Sequence, residues 1–144
     1  MDIQSQIREY CSYLQEWNAS YEEYAKSVGL SFTSLSILST IYQTENCTQK
    51  FLSEHCFLPK QTVNAIITTF YKKGWVQLRE MPTDRRNKTV HLTKLGIAEA
   101  ERILQRVRQS EQQAMSQLTE EERIVLLSAT RRYISGCKDA MKGL

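Results

Sequence analysis

Proline, glycine and histidine are scarce in this 144-residue chain, with two, five and two copies respectively. Two prolines and five glycines leave no Pro- or Gly-rich linker, and no internal repeat or low-complexity tract stands out. With only His55 and His91 present, neither has a second ligand at helical or hairpin spacing, so no metal site is expected. The four cysteines, Cys11, Cys47, Cys56 and Cys137, form no C-x-x-C pair and read as free thiols in place of a disulfide framework. Apolar runs such as Ile124-Val125-Leu126-Leu127 are far too short to cross a bilayer, and residues 1–6 carry no secretion signal. A cytoplasmic protein with no membrane partner is therefore expected. Also absent are a phosphate-cradling glycine loop, a nucleophile elbow and an acid pair across an evident cleft, so neither an enzyme nor a cofactor is expected.

What is present is ordinary in amount and unusual in distribution. The apolar fraction of 41% and charged fraction of 24% suit one globular domain. Net charge is only +3, yet residues 58–94 hold eight basic side chains against Glu80 and Asp84, a net +6, leaving −3 elsewhere. A concentrated cationic segment suits a polyanion, because bound lysines and arginines release condensed counterions. It equally suits a solvated surface, so the decision passes to pattern.

Residues 3–27 are polar with interspersed aromatics and fit an amphipathic helix stopped at Gly29. A second helix begins after Ser31 or Thr33, with Leu35, Leu38, Ile41 and Tyr42 on one stripe. A short helix over residues 48–55 starts at Thr48, whose hydroxyl can cap it, with Phe51 and Leu52 facing inward. After the break at Phe57-Leu58-Pro59, residues 60–73 place Val63, Ile66, Ile67 and Phe70 at helical spacing, with Pro59 in the first turn and Gly74 as the stop. The period then changes to two over residues 76–81 and 88–92, predicting a β-hairpin with a basic loop at 82–87. Long helices follow over residues 93–117 and from Thr119, where Thr-Glu-Glu-Glu is a capping box.

Two short helices across a tight break, followed by a basic hairpin, is the order of a winged helix-turn-helix. The fold class expected is mainly α with a small β-hairpin wing. The chain is read as one domain, residues 1–144, with the winged helix-turn-helix over 31–93 and dimerisation helices over 1–30 and 94–144. A helix fits the major groove of B-DNA, and a cationic hairpin tip suits the adjacent minor groove. If Val63, Ile66, Ile67 and Phe70 pack inward, then Lys60, Gln61, Asn64, Thr68 and Lys72 lie largely opposite. Lys60 suits phosphate or guanine, Gln61 and Asn64 offer the paired donor and acceptor that adenine needs, and Thr62 and Thr68 suit phosphate or a thymine methyl. Thr48, Arg79, Asp84, Arg85, Arg86 and Lys88 complete the predicted DNA-binding set. An ordinary surface helix is also polar outside; the attached wing favours DNA.

Residues 58–96, LPKQTVNAIITTFYKKGWVQLREMPTDRRNKTVHLTKLG, resemble the multiple-antibiotic-resistance regulator (MarR) family of bacterial transcription factors. The resemblance is carried by Lys73-Gly74-Trp75-Val76, by Asp84-Arg85-Arg86 and by Leu92-Thr93-x-x-Gly96, and the flanking helices match in order and length. It implies a homodimer with interlocked terminal helices reading a pseudo-palindromic double-stranded operator, as an effector-responsive repressor. It also implies that Asp84 positions a wing arginine, Arg86. Many relatives carry a basic residue where this chain has Ala65, so the preferred base sequence does not transfer. Dimerisation also follows from helices too long for one small winged domain to cover, although they can instead pack on each other within a chain.

The resemblance further suggests an effector pocket. Tyr13, Trp17, Tyr21, Phe32 and Tyr42 are candidates to line a cavity for a small aromatic or lipophilic ligand, while the same spacings serve a plain core. Cys11, Cys47 and Cys56 are candidates for a redox switch, which requires exposed thiols of low pKa; buried inert cysteine is the competing reading. A winged-helix protein–protein adaptor is the alternative function, and it has no need of Lys60, Arg85, Arg86 and Lys88 together.

Overall fold

Each helix begins where a side chain supplies the acceptor that its first amides lack. A computed structural model describes residues 1–143, with Arg85 by its backbone alone. Asp2 Oδ1 accepts from Ser5 N–H at 2.7 Å and opens α1 (Ile3–Ser27). Ser31 Oγ accepts from Ser34 N–H and opens α2 (Phe32–Gln43), and Thr48 Oγ1 accepts from Phe51 N–H and opens α3 (Gln49–Cys56). α4 (Lys60–Lys72) is the exception: its N-cap is Pro59, in extended geometry and without a side-chain cap. Pro59 stands one residue before the first turn in which it is expected, and its carbonyl accepts from Val63 N–H.

Three strands form one antiparallel sheet in the order β1-β3-β2, where β1 is Cys47–Thr48, β2 is Val76–Met81 and β3 is Asp84–Leu92. Two differences from the sequence expectation arise here. The two-residue β1 has no visible period and was not foreseen; it pairs Cys47 with Val90 and Thr48 with Thr89. The loop expected over 82–87 shrinks to a turn at Pro82 and Thr83, because the basic residues continue the strand and Met81 pairs with Asp84 past an irregularity at Glu80.

The chain divides into two units, Met1–Leu104 and Gln105–Leu144. In the first, Leu35, Ile37, Leu38 and Ile41 of α2, Leu52 of α3, Val63, Ile67 and Phe70 of α4 and Val76 and Val90 of the sheet are buried. The opening turns of α5 (Lys94–Ser116) belong to this core through Gly96, Ala100, Ile103 and Leu104. The first compact unit thus takes in the opening turns of α5 as far as Leu104. Tyr24 Oη donates to Ile103 O at 2.6 Å and ties α1 to α5, and Ala25 is the one buried residue of α1. Phe51, expected inward, is 38% exposed and stacks on His55 one turn later, with ring centroids 5.2 Å apart.

The second unit holds the rest of α5 and α6 (Glu120–Lys142). The capping box at its start is present in both directions: Glu122 N–H donates to Thr119 Oγ1 and Thr119 N–H to Glu122 Oε1. No residue of α6 is buried, and Ile124, Val125, Leu127 and Ile134 are all exposed. No helix among the described residues is long and apolar enough to cross a membrane.

Candidate nucleic-acid interface

The two faces of α4 separate as its periodicity requires. Val63, Ile67 and Phe70 are buried and Ile66 is half-buried. Lys60, Gln61, Asn64, Thr68 and Lys72 are exposed, joined by Ala65 and Thr69, while Thr62 is half-buried. Thr68 Oγ1 donates back to Asn64 O at 2.8 Å, and Thr69 Oγ1 to Ala65 O at 3.1 Å. Those hydroxyl protons are committed to the helix, so Thr68 presents a methyl group and oxygen lone pairs, and the side-chain amides of Gln61 and Asn64 supply the exposed donors.

The wing and the helix starts converge. Lys60 of α4, Gln49 and Lys50 of α3, and Arg86, Asn87 and Lys88 of β3 line one groove of about 290 Å³. Four cations around so small a space repel one another in the absence of an anion, and phosphate oxygens are the complementary group. The helix-turn-helix supplies the first two sides, because the Phe57-Leu58-Pro59 turn brings the start of α4 back beside that of α3. β3 supplies the third.

Asp84 fixes that third side through the main chain. Its Oδ1 accepts from Arg86 main-chain N–H at 3.0 Å and its Oδ2 from Asn87 Nδ2 at 3.1 Å. The carboxylate orders the backbone beneath Arg86 and leaves the guanidinium out of the bond. The Arg85 side chain lies outside the described residues.

Other predicted residues go elsewhere. Arg79 pairs across the sheet with Thr89, and Lys88 with Glu80, so strand alternation puts Arg79 on the face opposite Lys88. There it lines a depression of about 410 Å³ with Ile41, Tyr42, Glu45, His91 and Ile97, away from the cationic groove. Thr48 uses its hydroxyl as the cap of α3, and Lys72 sits at the far end of α4. Sequence reasoning missed Gln49, Lys50 and Asn87. Their signal is tertiary adjacency, which period and charge along the chain do not carry.

The aromatic set divides. Trp17, Tyr21 and Phe32 form an edge-to-face series with centroids 5.6 Å apart at each step. Tyr13 and Trp17 are each 57% exposed, and Tyr13 Oη donates to Glu9, which raises the phenol above its ordinary pKa. Tyr42, ten residues beyond Phe32 on α2, stands about 15 Å along the helix, with Oη bonded to Glu101. Tyr42 thus stands apart from the Trp17-Tyr21-Phe32 series. Among the thiols, Cys11 is exposed and Cys56 half-buried, with Sγ 3.4 Å from Thr40 Oγ1. Cys47 is buried, and burial, followed by the neighbouring Cys56, pushes its thiol up to about 11, which counts against a reactive thiolate there.

A family model described as MarR family matches residues 30–88. Over that segment the chain is similar to the MarR family. The HTH-type transcriptional regulator SarZ of Staphylococcus haemolyticus is 32% identical over 77 residues, covering 54% of this chain and 52% of that protein. The chain thus spans about half the length of the curated relatives it matches. A MarR family regulator from Neisseria meningitidis has a similar structure, with a TM-score of 0.82 at 19% identity over 99% of this chain and 98% of that one. MepR of S. aureus, solved as a DNA complex, gives 0.76 at 20% identity over 88% and 97%. These likenesses establish the MarR-type winged-helix fold, mainly helical with a small sheet as its wing.

Proposed function

We propose that this chain is a sequence-specific DNA-binding transcriptional regulator that acts as a homodimer on a pseudo-palindromic operator. The observation that carries the reading is the groove in which Lys50, Lys60, Arg86 and Lys88 converge beside the exposed Gln61, Asn64 and Thr68 of α4. The cations engage phosphates and fix the register, while the amides read base edges. A protein–protein adaptor has no use for such a cluster, and relatives described as transcriptional regulators, with one solved on DNA, support the same choice.

The dimer reading rests on apolar side chains that the protomer leaves uncovered: Ile124, Val125, Leu127 and Ile134 on α6, and Tyr13, Leu14 and Trp17 on α1. Exposed apolar surface on that scale marks an association site. Under this reading residues 31–93 bind DNA, and the flanking helices join the protomers. The repressor acts in the bacterial cytoplasm, in the nucleoid, and releases DNA on meeting a small aromatic or lipophilic effector, for which the Trp17-Tyr21-Phe32 series is the nearest candidate wall.

The experiment is a selection from random duplex DNA, followed by titration of Arg86→Ala. The variant should lose affinity for the selected site and show a shallower salt dependence, with unchanged helicity and dimer mass. Unchanged affinity removes the wing from the reading, and a wild-type protein that ignores every duplex at low salt removes the function.

A further inference from the structure

Phe57 combines two features that rarely coexist. It closes α3 in the left-handed region, at φ 55° and ψ 48°, where a β-carbon costs about 1–2 kcal/mol and glycine is the ordinary occupant. Leu58 N–H donates to Ser53 O at 3.0 Å and Ser53 Oγ to Leu58 O at 2.5 Å, so the surrounding turn holds the strained residue in place. Packing does not offset the strain: at 86% exposure its ring is the most exposed large apolar side chain among the described residues. Phe51, by contrast, is satisfied by its stack on His55. A bulky residue kept in a strained conformation, without burial, points to a contact made outside the free chain.

Its place in the fold indicates which contact. Phe57 lies two residues ahead of Pro59, the N-cap of α4, and three ahead of Lys60, which lines the cationic groove. We infer that Phe57 is a base-contacting residue that meets a thymine C5-methyl at the edge of the major groove when α4 enters it. This inference rests on the DNA-binding reading above. The thymine methyl is the apolar mark of the major groove and takes aromatic partners. The exposed face of α4 is otherwise largely polar, with Ala65, the Thr68 and Thr69 methyls and, near its far end, Tyr71 as the apolar alternatives.

The test uses the full-length protein and the duplex it selects, with each thymine replaced in turn by deoxyuridine. Wild type should lose about threefold to fivefold in affinity at one or two thymines, the worth of one buried methyl. Phe57→Gly and Phe57→Asn should show no loss at those positions, while Arg86→Ala, weaker overall, keeps it. Phe57→Gly should also melt no lower than wild type, because it relieves the left-handed strain and uncovers no core; Asn, which tolerates that region, guards against an unexpected folding defect. Thymine sensitivity retained in both variants overturns the inference, and so does a lower melting temperature for Phe57→Gly, which would mean that the ring packs in the free fold. Failure of wild type to bind any duplex removes the function itself, whereas normal binding with an unaltered methyl pattern removes only Phe57.

Discussion

The carbonyl of Trp75 lies against Gly96 so closely that a β-carbon at residue 96 would stand 2.0 Å from Trp75 O. This contact explains the spacing Leu92-Thr93-x-x-Gly96. Thr93 N–H donates to Trp75 O at 2.9 Å, Thr93 Oγ1 donates to Gly74 O at 2.6 Å, and the same oxygen accepts from Gly96 N–H at 3.0 Å. One threonine thereby caps α5 and clamps it to the end of α4, and the glycine lets the two backbones meet. The clamp sets where β2 leaves α4, and hence where the wing stands beside that helix.

Gly96→Ala should therefore be among the most damaging small substitutions in the chain. The atom it meets is backbone, which cannot swing aside, so overpacking should cost about 3 kcal/mol. The contrast is Gly74→Ala, where the nearest atom is Leu95 Cδ2 at 3.9 Å and the burden is the positive φ of 78° alone, about 1–2 kcal/mol. Urea unfolding of the two variants measures the order. A smaller loss for Gly96→Ala than for Gly74→Ala would show that the close approach is not rigid.

Thiol reactivity separates the cysteines. With its thiol pushed up to about 11 and its side chain buried, Cys47 should resist an aromatic disulfide reagent at pH 8 in the native protein, while exposed Cys11 reacts. Cys47 becomes reactive only on unfolding, and mass mapping of the labelled peptides reads the order. Native labelling of Cys47 as fast as Cys11 would contradict the burial that counts against a redox role for it.

The parts of this architecture written along the chain were legible in the sequence. Apolar residues at helical spacing marked α4, Gly74 marked its end, and Thr119 with Glu122 marked the start of α6, because each signal lies within a few residues. The fold's joints were not legible. β1 is two residues long and exists only because β3 offers it an edge. The face taken by Arg79 depends on register: Arg79 opposes Thr89, so its cation turns away from Lys88. Lys50 and Asn87 enter the groove because a tight turn and a short hairpin bring three chain segments together. Phe57 defeated local rules altogether, since a left-handed cap is where glycine is expected.

His91 should titrate below its ordinary value of 6.5, first because it is desolvated and then because Arg79 opposes a second positive charge. Its Nε2 lies 2.7 Å from Thr89 Oγ1, whose own proton is directed at Arg79 O, so the neutral ring donates from Nε2. Glu45 and Tyr42 line the same depression and are the other ionisable side chains there. Because folding favours the neutral ring, this contribution to stability is complete above 6.5 and erodes as pH falls through the lowered value. NMR titration should place the midpoint below 6.5, and Arg79→Gln should move it up without restoring it fully. A midpoint above 6.5 in wild type would exclude this arrangement.

The capping box of α6 gives the opposite end of the chain its own pH response. Glu122 is held below its ordinary value of 4.5, first by Thr119 main-chain N–H and then by the Thr119 hydroxyl. A depressed carboxyl adds stability above its unfolded pKa and loses it as pH falls through the folded one, so the start of α6 should fray below about pH 4.5. Glu122→Gln keeps an acceptor for the same N–H and removes the ionisation. Its amide exchange over the first turn of α6 should therefore be flat between pH 5 and 3, after correction for intrinsic rates, while wild type loses protection across that interval. Thr119→Ala should cost about 1 kcal/mol of helix stability at neutral pH, because it leaves Glu122 N–H without its partner. Equal pH dependence in wild type and Glu122→Gln would mean that the carboxylate does not hold this terminus.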